Sequence, residues 1–190
     1  MNEGEYIKKL KVFEGFADHM YLDSKGFVTI GVGILLSNAG AAKSAGITLS
    51  NRETGKAATT EEIATDFDSV KKAPKGMFPP SKYEKYTKLY ASAGLDSALK
   101  QSLNTAKSDA KSFFPDFNSL PESTRWALVD MAYNLGGAGL KKFAKLKAAL
   151  EKAVESKKKE DFEAAAKESK RGGIQQSRND AIYDWIAEGY

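Results

Sequence analysis

The chain has 190 residues, no cysteine, a single histidine and a formal net charge of +4 at pH 7. The lack of cysteine excludes disulfide frameworks and thiol nucleophiles, and with only one histidine the common zinc sites are excluded as well. No stretch approaches the ~20 apolar residues that a membrane span needs, so membrane insertion is not expected. The basic balance favours an anionic polymer as partner, without choosing among nucleic acid, anionic lipid and bacterial cell wall.

The first predicted element is a short helix over residues 4–13. Apolar residues recur there at helical spacing with lysines between them, at Tyr6, Ile7, Leu10 and Phe13. Gly15 ends this helix, which places Glu14 at the negative end of the helix dipole. The start of the chain, MNEGEYIKKLKVFEG, is acidic and has no apolar core, so it does not resemble a signal peptide.

The sequence changes character over residues 18–36. The β-prone runs HMYLD, FVTIG and GILL are separated by SKG and by glycines, which predicts a small antiparallel hairpin or a three-stranded sheet. Residues 37–58 are rich in Ser, Asn, Gly and Ala, and a loop with one short helix around residues 41–45 is expected. The stretch TTEEIATDFDSVKK then opens with hydroxyls followed by Glu61 and Glu62, a helix-start signature.

The strongest break is APKGMFPPSKYEKY, which holds three of the five prolines. Nearly everything beyond it is predicted to be helical, with segments at Lys82–Ala91, Leu95–Phe113, Glu122–Leu135, Leu140–Ser156, Lys158–Lys170 and Ile174–Ala187. The predicted class is therefore α+β and mostly α. A small N-terminal lobe over residues 1–73 and a larger helical lobe over residues 74–190 are expected, with a cleft between them.

Three polar residues of the N-terminal lobe form a pattern. Glu14 is followed nine residues later by Asp23 and six residues after that by Thr29. Each suits an ordinary structural role on its own, as a helix end, a turn residue and a strand residue. Together they suit the breaking of a glycosidic bond, which needs one protonated carboxyl group and one ionised carboxylate. Glu14, beside the apolar Phe13, is the better candidate for the acid, Asp23 in its polar turn is the better base, and the Thr29 hydroxyl can hold a water.

The order of these residues resembles the phage-type lysozymes, the endolysin family represented by the T-even phage enzyme. The matching positions are Glu14-Gly15, Tyr21 with Asp23, Gly26, Thr29-Ile30-Gly31-Val32-Gly33 and Leu35-Leu36. TTEEIATDFDSV is similar to the interlobe helix of that family, STRWALVDMAYNLGGAGLKKF to its central buried helix, and RGGIQQSRNDAIYDW to its C-terminal segment. Residues 74–112 do not match well and resemble an enlarged insertion.

The resemblance implies a lysozyme-like fold and an inverting muramidase that needs no cofactor. Its substrate would be the glycan strand of peptidoglycan, cut at the β-1,4 bond between N-acetylmuramic acid and N-acetylglucosamine. The catalytic residues it implies are Glu14, Asp23 and Thr29. The substrate-binding residues it implies are Gly33, Leu35, Tyr133, Asn134 and Arg178.

Some of these positions also suit purely structural roles. Gly33 suits a sharp strand bend, Tyr133 a place in the core, and Arg178 a surface ion pair. Many family members carry histidine where this chain has Ile34, a change that bears on local packing. His19 is expected to be an exposed strand residue. No nucleic-acid partner is expected, because the lysines are scattered without interleaved aromatics.

Two rival functions stay open at this point. A lytic transglycosylase needs the catalytic glutamate but no water-activating aspartate, and a binding module would grip cell wall without cutting it. The presence of Asp23 and Thr29 argues against both. A monomer is expected, made in the cytoplasm and acting on the wall in the periplasm of a host or target bacterium. Phage endolysin, bacteriocin and injected effector all fit, and so does regulation by an inhibitor or immunity protein.

Overall fold

The computed structural model describes all of residues 1–190, and the chain divides into two compact units. We call residues 9–101 the sheet unit, and residues 1–8 with 102–190 the helical unit. This division differs from the boundary expected at residue 74. The reason is backbone pairing, because residues 89–93 form a strand that bonds to residues 48–51 and thereby joins the sheet unit.

The chain forms eight α-helices and five β-strands. The helices are α1 Glu3–Glu14, α2 Ala41–Ser44, α3 Thr60–Lys71, α4 Leu95–Phe113, α5 Glu122–Leu140, α6 Ala144–Ser156, α7 Lys159–Lys167 and α8 Gln176–Ala187. The strands are β1 Ala17–Leu22, β2 Val28–Gly31, β3 Ile34–Leu35, β4 Thr48–Asn51 and β5 Leu89–Ala93. This combination confirms the predicted α+β class. None of the helices combines the length and the hydropathy needed to cross a membrane.

The first three strands form an antiparallel sheet in the order β1-β2-β3. This is the three-stranded form of the sheet predicted for residues 18–36. The register places Tyr21 opposite Thr29, and Thr29 opposite Leu35. Thr29 therefore lies on the central strand, with neighbours from both sides.

The core of the sheet unit draws residues from the strands and from helices α2, α3 and α4. Its buried members include Met20, Ile30, Leu49, Val70 and Leu89. Ile34, the departure from the family pattern, is buried in the same core. An apolar side chain at this position is therefore consistent with the local packing.

Two predicted segments were wrong. Residues 82–91 do not form a helix; a 3₁₀ helix, Pro80–Tyr86, is followed by β5. Residues 48–51, expected in a loop, form β4, which pairs with β5. Both strands are short, and each is stabilised by a partner about 40 residues away, a pairing that local propensity does not register.

Helix α5 is the most buried helix of the helical unit. Every residue from Trp126 to Met131 is buried, including the carboxylate of Asp130. Gly136 interrupts the helix with a φ of +69°. Regular helix therefore stops near Leu135, as the sequence predicted.

The start of α3 has the capping box that the sequence TTEE predicts. Thr59 Oγ1 accepts a hydrogen bond from the Glu62 amide at 3.2 Å, and the Thr59 amide donates to Glu62 Oε2 at 2.8 Å. Thr59→Ala removes this N-cap and should lower the free energy of unfolding by about 1 kcal/mol in urea titrations. Thr60→Ala, one residue inside the helix, is the matched control and should cost less than about 0.5 kcal/mol. Equal losses from the two variants would contradict the capping assignment.

Candidate active site

Glu14 is the last residue of α1 and is partly buried. Gly15 follows with a φ of +73°, a left-handed conformation that ends the helix. A Cβ built on Gly15 would lie 3.0 Å from Pro80 Cδ, so the chain passes close to this proline. Glycine at position 15 thus ends the helix and also permits the close approach.

Asp23 lies in the turn between β1 and β2. Its Oδ1 accepts hydrogen bonds from the Lys25 amide at 2.9 Å and the Phe27 amide at 2.8 Å. The Asp23 amide in turn donates to the Phe27 carbonyl at 2.9 Å. Two peptide donors therefore orient the carboxylate through one oxygen, and neither of them engages Oδ2.

The backbone of Phe27 also orients the side chain of Thr29. The Thr29 hydroxyl donates to the Phe27 carbonyl at 3.0 Å, and the Thr29 side chain is almost fully buried, with 2% of the residue exposed. Because its hydrogen is engaged in this bond, the hydroxyl oxygen is left to act as an acceptor. The backbone amide and carbonyl of Phe27 thus orient the Asp23 carboxylate and the Thr29 hydroxyl, respectively.

Gly33 brings the β2–β3 turn against Glu14. Gly33 has a φ of +77°, and a Cβ built on it would lie 3.4 Å from Glu14 Oε2. The Gly33 amide donates to the Tyr21 hydroxyl at 3.2 Å. Burial raises the pKa of Tyr21 well above its usual range, and the negative charges of Glu14 and Asp23 raise it further. Tyr21 thus connects the β2–β3 turn, which lies against Glu14, to strand β1, where it pairs with Thr29.

Leu35 lies beside this group on the sheet. It is the cross-strand partner of Thr29, and 58% of the residue is exposed. Phe27 is also exposed, at the turn. An exposed apolar side chain next to a buried polar group gives Leu35 a surface suited to ligand contact.

In the helical unit, Arg178 is not at the surface. Only 3% of the residue is exposed, and its Nε and Nη2 donate to the two carboxylate oxygens of Asp130 at 3.0 and 2.9 Å. Arg171 Nη2 donates to the same carboxylate at 3.2 Å, and the Tyr6 hydroxyl donates to it at 3.3 Å. The surface ion pair considered for Arg178 is therefore wrong, because the pair is buried.

Tyr133 and Asn134 follow Asp130 along α5, and both are partly buried. Asn134 Oδ1 lies 3.4 Å from Arg171 Nη1, so this amide lies at the margin of the Asp130 network. Sequence reasoning missed Asp130, Arg171 and Tyr6. One signal was present: an aspartate within the apolar run WALVDMA must be paired if that helix is buried.

His19 corrects another expectation. It is buried rather than exposed, with Nδ1 3.1 Å from Asp18 Oδ1 and Nε2 3.2 Å from the Pro80 carbonyl. Strand β1 is covered along nearly its whole length, which is why an alternating exposed pattern failed here. No group of three or more His, Asp or Glu side chains is placed to hold a metal ion.

Comparison with protein families gives one match. The family described as phage lysozyme matches residues 11–181, well over half of the chain. The chain therefore belongs to the phage lysozyme family, a class of glycoside hydrolases that act on peptidoglycan. The match includes every candidate site residue, from Glu14 to Arg178. A comparison with curated protein sequences finds no match.

The Asp130 network predicts a large effect on stability. Asp130→Asn keeps the shape but leaves two buried guanidinium groups without their carboxylate, and should lower the free energy of unfolding by about 3–5 kcal/mol. Asp116→Asn, at an exposed position of the same unit, is the control and should stay within about 0.5 kcal/mol. Calorimetric or urea unfolding measures both. A loss below about 1 kcal/mol for Asp130→Asn would contradict a network that depends on charge.

Proposed function

We propose that this protein is an inverting muramidase. Its substrate is peptidoglycan, cut at the β-1,4 bond between N-acetylmuramic acid and N-acetylglucosamine. The observation that carries the proposal is the shared anchor of Asp23 and Thr29 on the backbone of Phe27, in the sheet whose β2–β3 turn lies against Glu14. Glu14 supplies the acid, Asp23 the base and Thr29 the hydroxyl that holds the attacking water.

Glu14 is assigned as the general acid. Protonated, it donates its hydrogen to the glycosidic oxygen as the bond to the leaving sugar breaks. Gly33 supports this role, since the space beside the Glu14 carboxyl holds backbone without a side chain. A sugar can therefore approach the acid without meeting a side chain from position 33.

Asp23 and Thr29 are assigned to the attacking water. The Thr29 oxygen accepts one hydrogen of the water, because its own hydrogen is donated to the Phe27 carbonyl. Asp23 Oδ2 accepts the second hydrogen and takes it as the base, while Oδ1 stays bonded to peptide amides. With both hydrogens held, a lone pair of the water is free to attack the anomeric carbon from the face opposite the leaving oxygen.

Substrate binding is assigned to Gly33, Leu35, Tyr133 and Asn134. Leu35 offers exposed apolar surface beside Thr29, and Tyr133 and Asn134 are partly accessible on α5. Arg178 is assigned a positioning role, because its bidentate bond to Asp130 ties α8 to α5. The cleft expected between the two lobes stays a prediction.

The biological setting is also part of the proposal. We assign the protein a monomeric, bacteriolytic action on the wall in the periplasm of a host or target bacterium. A holin gene beside its gene would indicate a phage endolysin. A gene for a small secreted immunity-type protein would indicate a bacteriocin or an injected effector with a dedicated inhibitor.

The acid is tested by Glu14→Gln. The amide cannot protonate the leaving oxygen, and general acid catalysis is typically worth about 10²–10⁴-fold, so lysis should fall by that factor. The assay is the loss of turbidity of purified peptidoglycan, with circular dichroism to confirm the fold. Glu5→Gln, an exposed position near the start of the same helix, is the control and should keep full activity. Near wild-type lysis by folded Glu14→Gln would overturn the assignment.

The water-holding pair is tested by Asp23→Asn and Thr29→Val. Both should lose most activity, about 10²-fold or more for Asp23→Asn, because the amide is no base. Thr29→Val keeps its shape and its strand preference, so the sheet should survive. Proton NMR of a fresh wild-type digest should show the α anomer forming first, which is inversion from the β-linked substrate.

Other products would identify the rivals. A first-formed β anomer would mean retention and would overturn the roles of Asp23 and Thr29. A 1,6-anhydro end would identify a lytic transglycosylase. Binding of peptidoglycan without any soluble product would identify a non-catalytic module.

A further inference from the structure

We propose that Tyr21 is a positioning residue for Glu14. Its hydroxyl fixes the turn between β2 and β3, and that turn forms the surface against which the Glu14 carboxyl lies. The inference rests on the proposed function, because it gives Tyr21 a role only if Glu14 is the acid.

The ring of Tyr21 is held rigidly. Only 4% of the residue is exposed, and the ring packs in the core of the sheet unit. Its backbone lies on β1 opposite Thr29 on the central strand. Core packing of the ring and strand pairing of the backbone together define the position of the Tyr21 hydroxyl.

The Tyr21 hydroxyl contacts the turn between β2 and β3. Val32 and Gly33 connect β2 to β3, and the third strand is only two residues long. Such a short strand offers few ladder hydrogen bonds to fix the turn. The bond of 3.2 Å from the Gly33 amide to the Tyr21 hydroxyl adds an anchor from β1.

The same turn, at Gly33, lies directly against the Glu14 carboxyl. The position of a Cβ on Gly33 lies 3.4 Å from Glu14 Oε2 and 3.5 Å from its Cδ. A displacement of the turn therefore changes the space available to the acid. A misplacement of about 1 Å at a reacting group can cost about 10²-fold in rate, so a smaller shift has a measurable effect.

Tyr21 does not act as a base or nucleophile itself. Burial, with the charges of Glu14 and Asp23, raises the pKa of its phenol well above the usual range, so it stays neutral. A neutral phenol can accept the Gly33 amide bond and hold position throughout the reaction. Its contribution is geometric and passes through Glu14.

The chain offers a matched control. Tyr83 lies in the same unit, is fully buried, and its hydroxyl makes one hydrogen bond to backbone, donating to the Pro74 carbonyl at 2.9 Å. Tyr21→Phe and Tyr83→Phe therefore each delete one buried hydroxyl with one backbone partner. They differ in that only the Tyr21 partner lies against Glu14.

The first measurement is steady-state kinetics on soluble peptidoglycan fragments. Tyr21→Phe should lower kcat by about 10-fold with KM changed less than about two-fold, because the acid is misplaced while the sugar contacts stay. Tyr83→Phe should leave both constants within about two-fold, at a similar small shift of the urea midpoint. Equal losses in the two variants, or wild-type kinetics for Tyr21→Phe, would overturn the inference.

The second measurement separates this inference from the proposed function. If Tyr21 acts through Glu14, then Tyr21→Phe added to Glu14→Gln should slow the residual reaction by less than about two-fold. A further 10-fold loss would show an independent role for Tyr21. Full activity of Glu14→Gln alone would instead refute the proposed function, whatever Tyr21→Phe does.

The third measurement needs no variant. Hydrogen exchange of the Gly33 amide in the wild-type protein should be slowed at least about 10-fold relative to an unprotected amide, since it is bonded to a buried hydroxyl. Unprotected exchange would mean that the anchor is absent and would overturn the inference, even if Tyr21→Phe did not fold.

Discussion

The candidate active site depends on the backbone of one residue. The Phe27 amide donates to the Asp23 carboxylate, and the Phe27 carbonyl accepts from both the Thr29 hydroxyl and the Asp23 amide. The Asp23 carboxylate and the Thr29 hydroxyl, the proposed base and water-holder, are therefore both oriented by backbone groups of Phe27, the amide in one case and the carbonyl in the other. The pairing of β1 with β2, which places Leu22 opposite Val28, holds the backbone of Phe27 in position.

Glu14 is positioned differently, by the end of a helix and by close backbone packing. It lies at the end of helix α1 and is partly buried. Its surroundings are shaped by glycines with left-handed backbone, Gly15 beside Pro80 and Gly33 beside the carboxyl. Backbone packing thus defines one side of the space around the Glu14 carboxyl. The candidate site as a whole combines a carboxylate held by peptide amides, Asp23, with a carboxyl group placed against a close-packed turn, Glu14.

The parts of the structure that sequence predicted are those that local interactions determine. The capping box of Thr59 and Glu62, the bounds of α4 and the turn at Asp23 all rest on residues within a few positions of one another. The pairing of β4 with β5 and the burial of His19 depend on contacts between distant segments. The catalytic candidates lie close together in sequence and match the family motif, so they stay predictions from the sequence, whereas the bond between Tyr21 and the β2–β3 turn depends on the fold.

The helical unit shows why supporting residues are harder to predict than reacting ones. A fully buried Asp130 needs cationic partners, and it takes Arg178 from α8 and Arg171 from the segment before it. Nothing in the spacing of these residues indicates the pairing, since about 40 residues separate them. The same network fixes α5 immediately before Tyr133 and Asn134, ahead of the break at Gly136. The α5 residues proposed to contact the glycan, Tyr133 and Asn134, therefore follow directly on a helix segment held by buried charges.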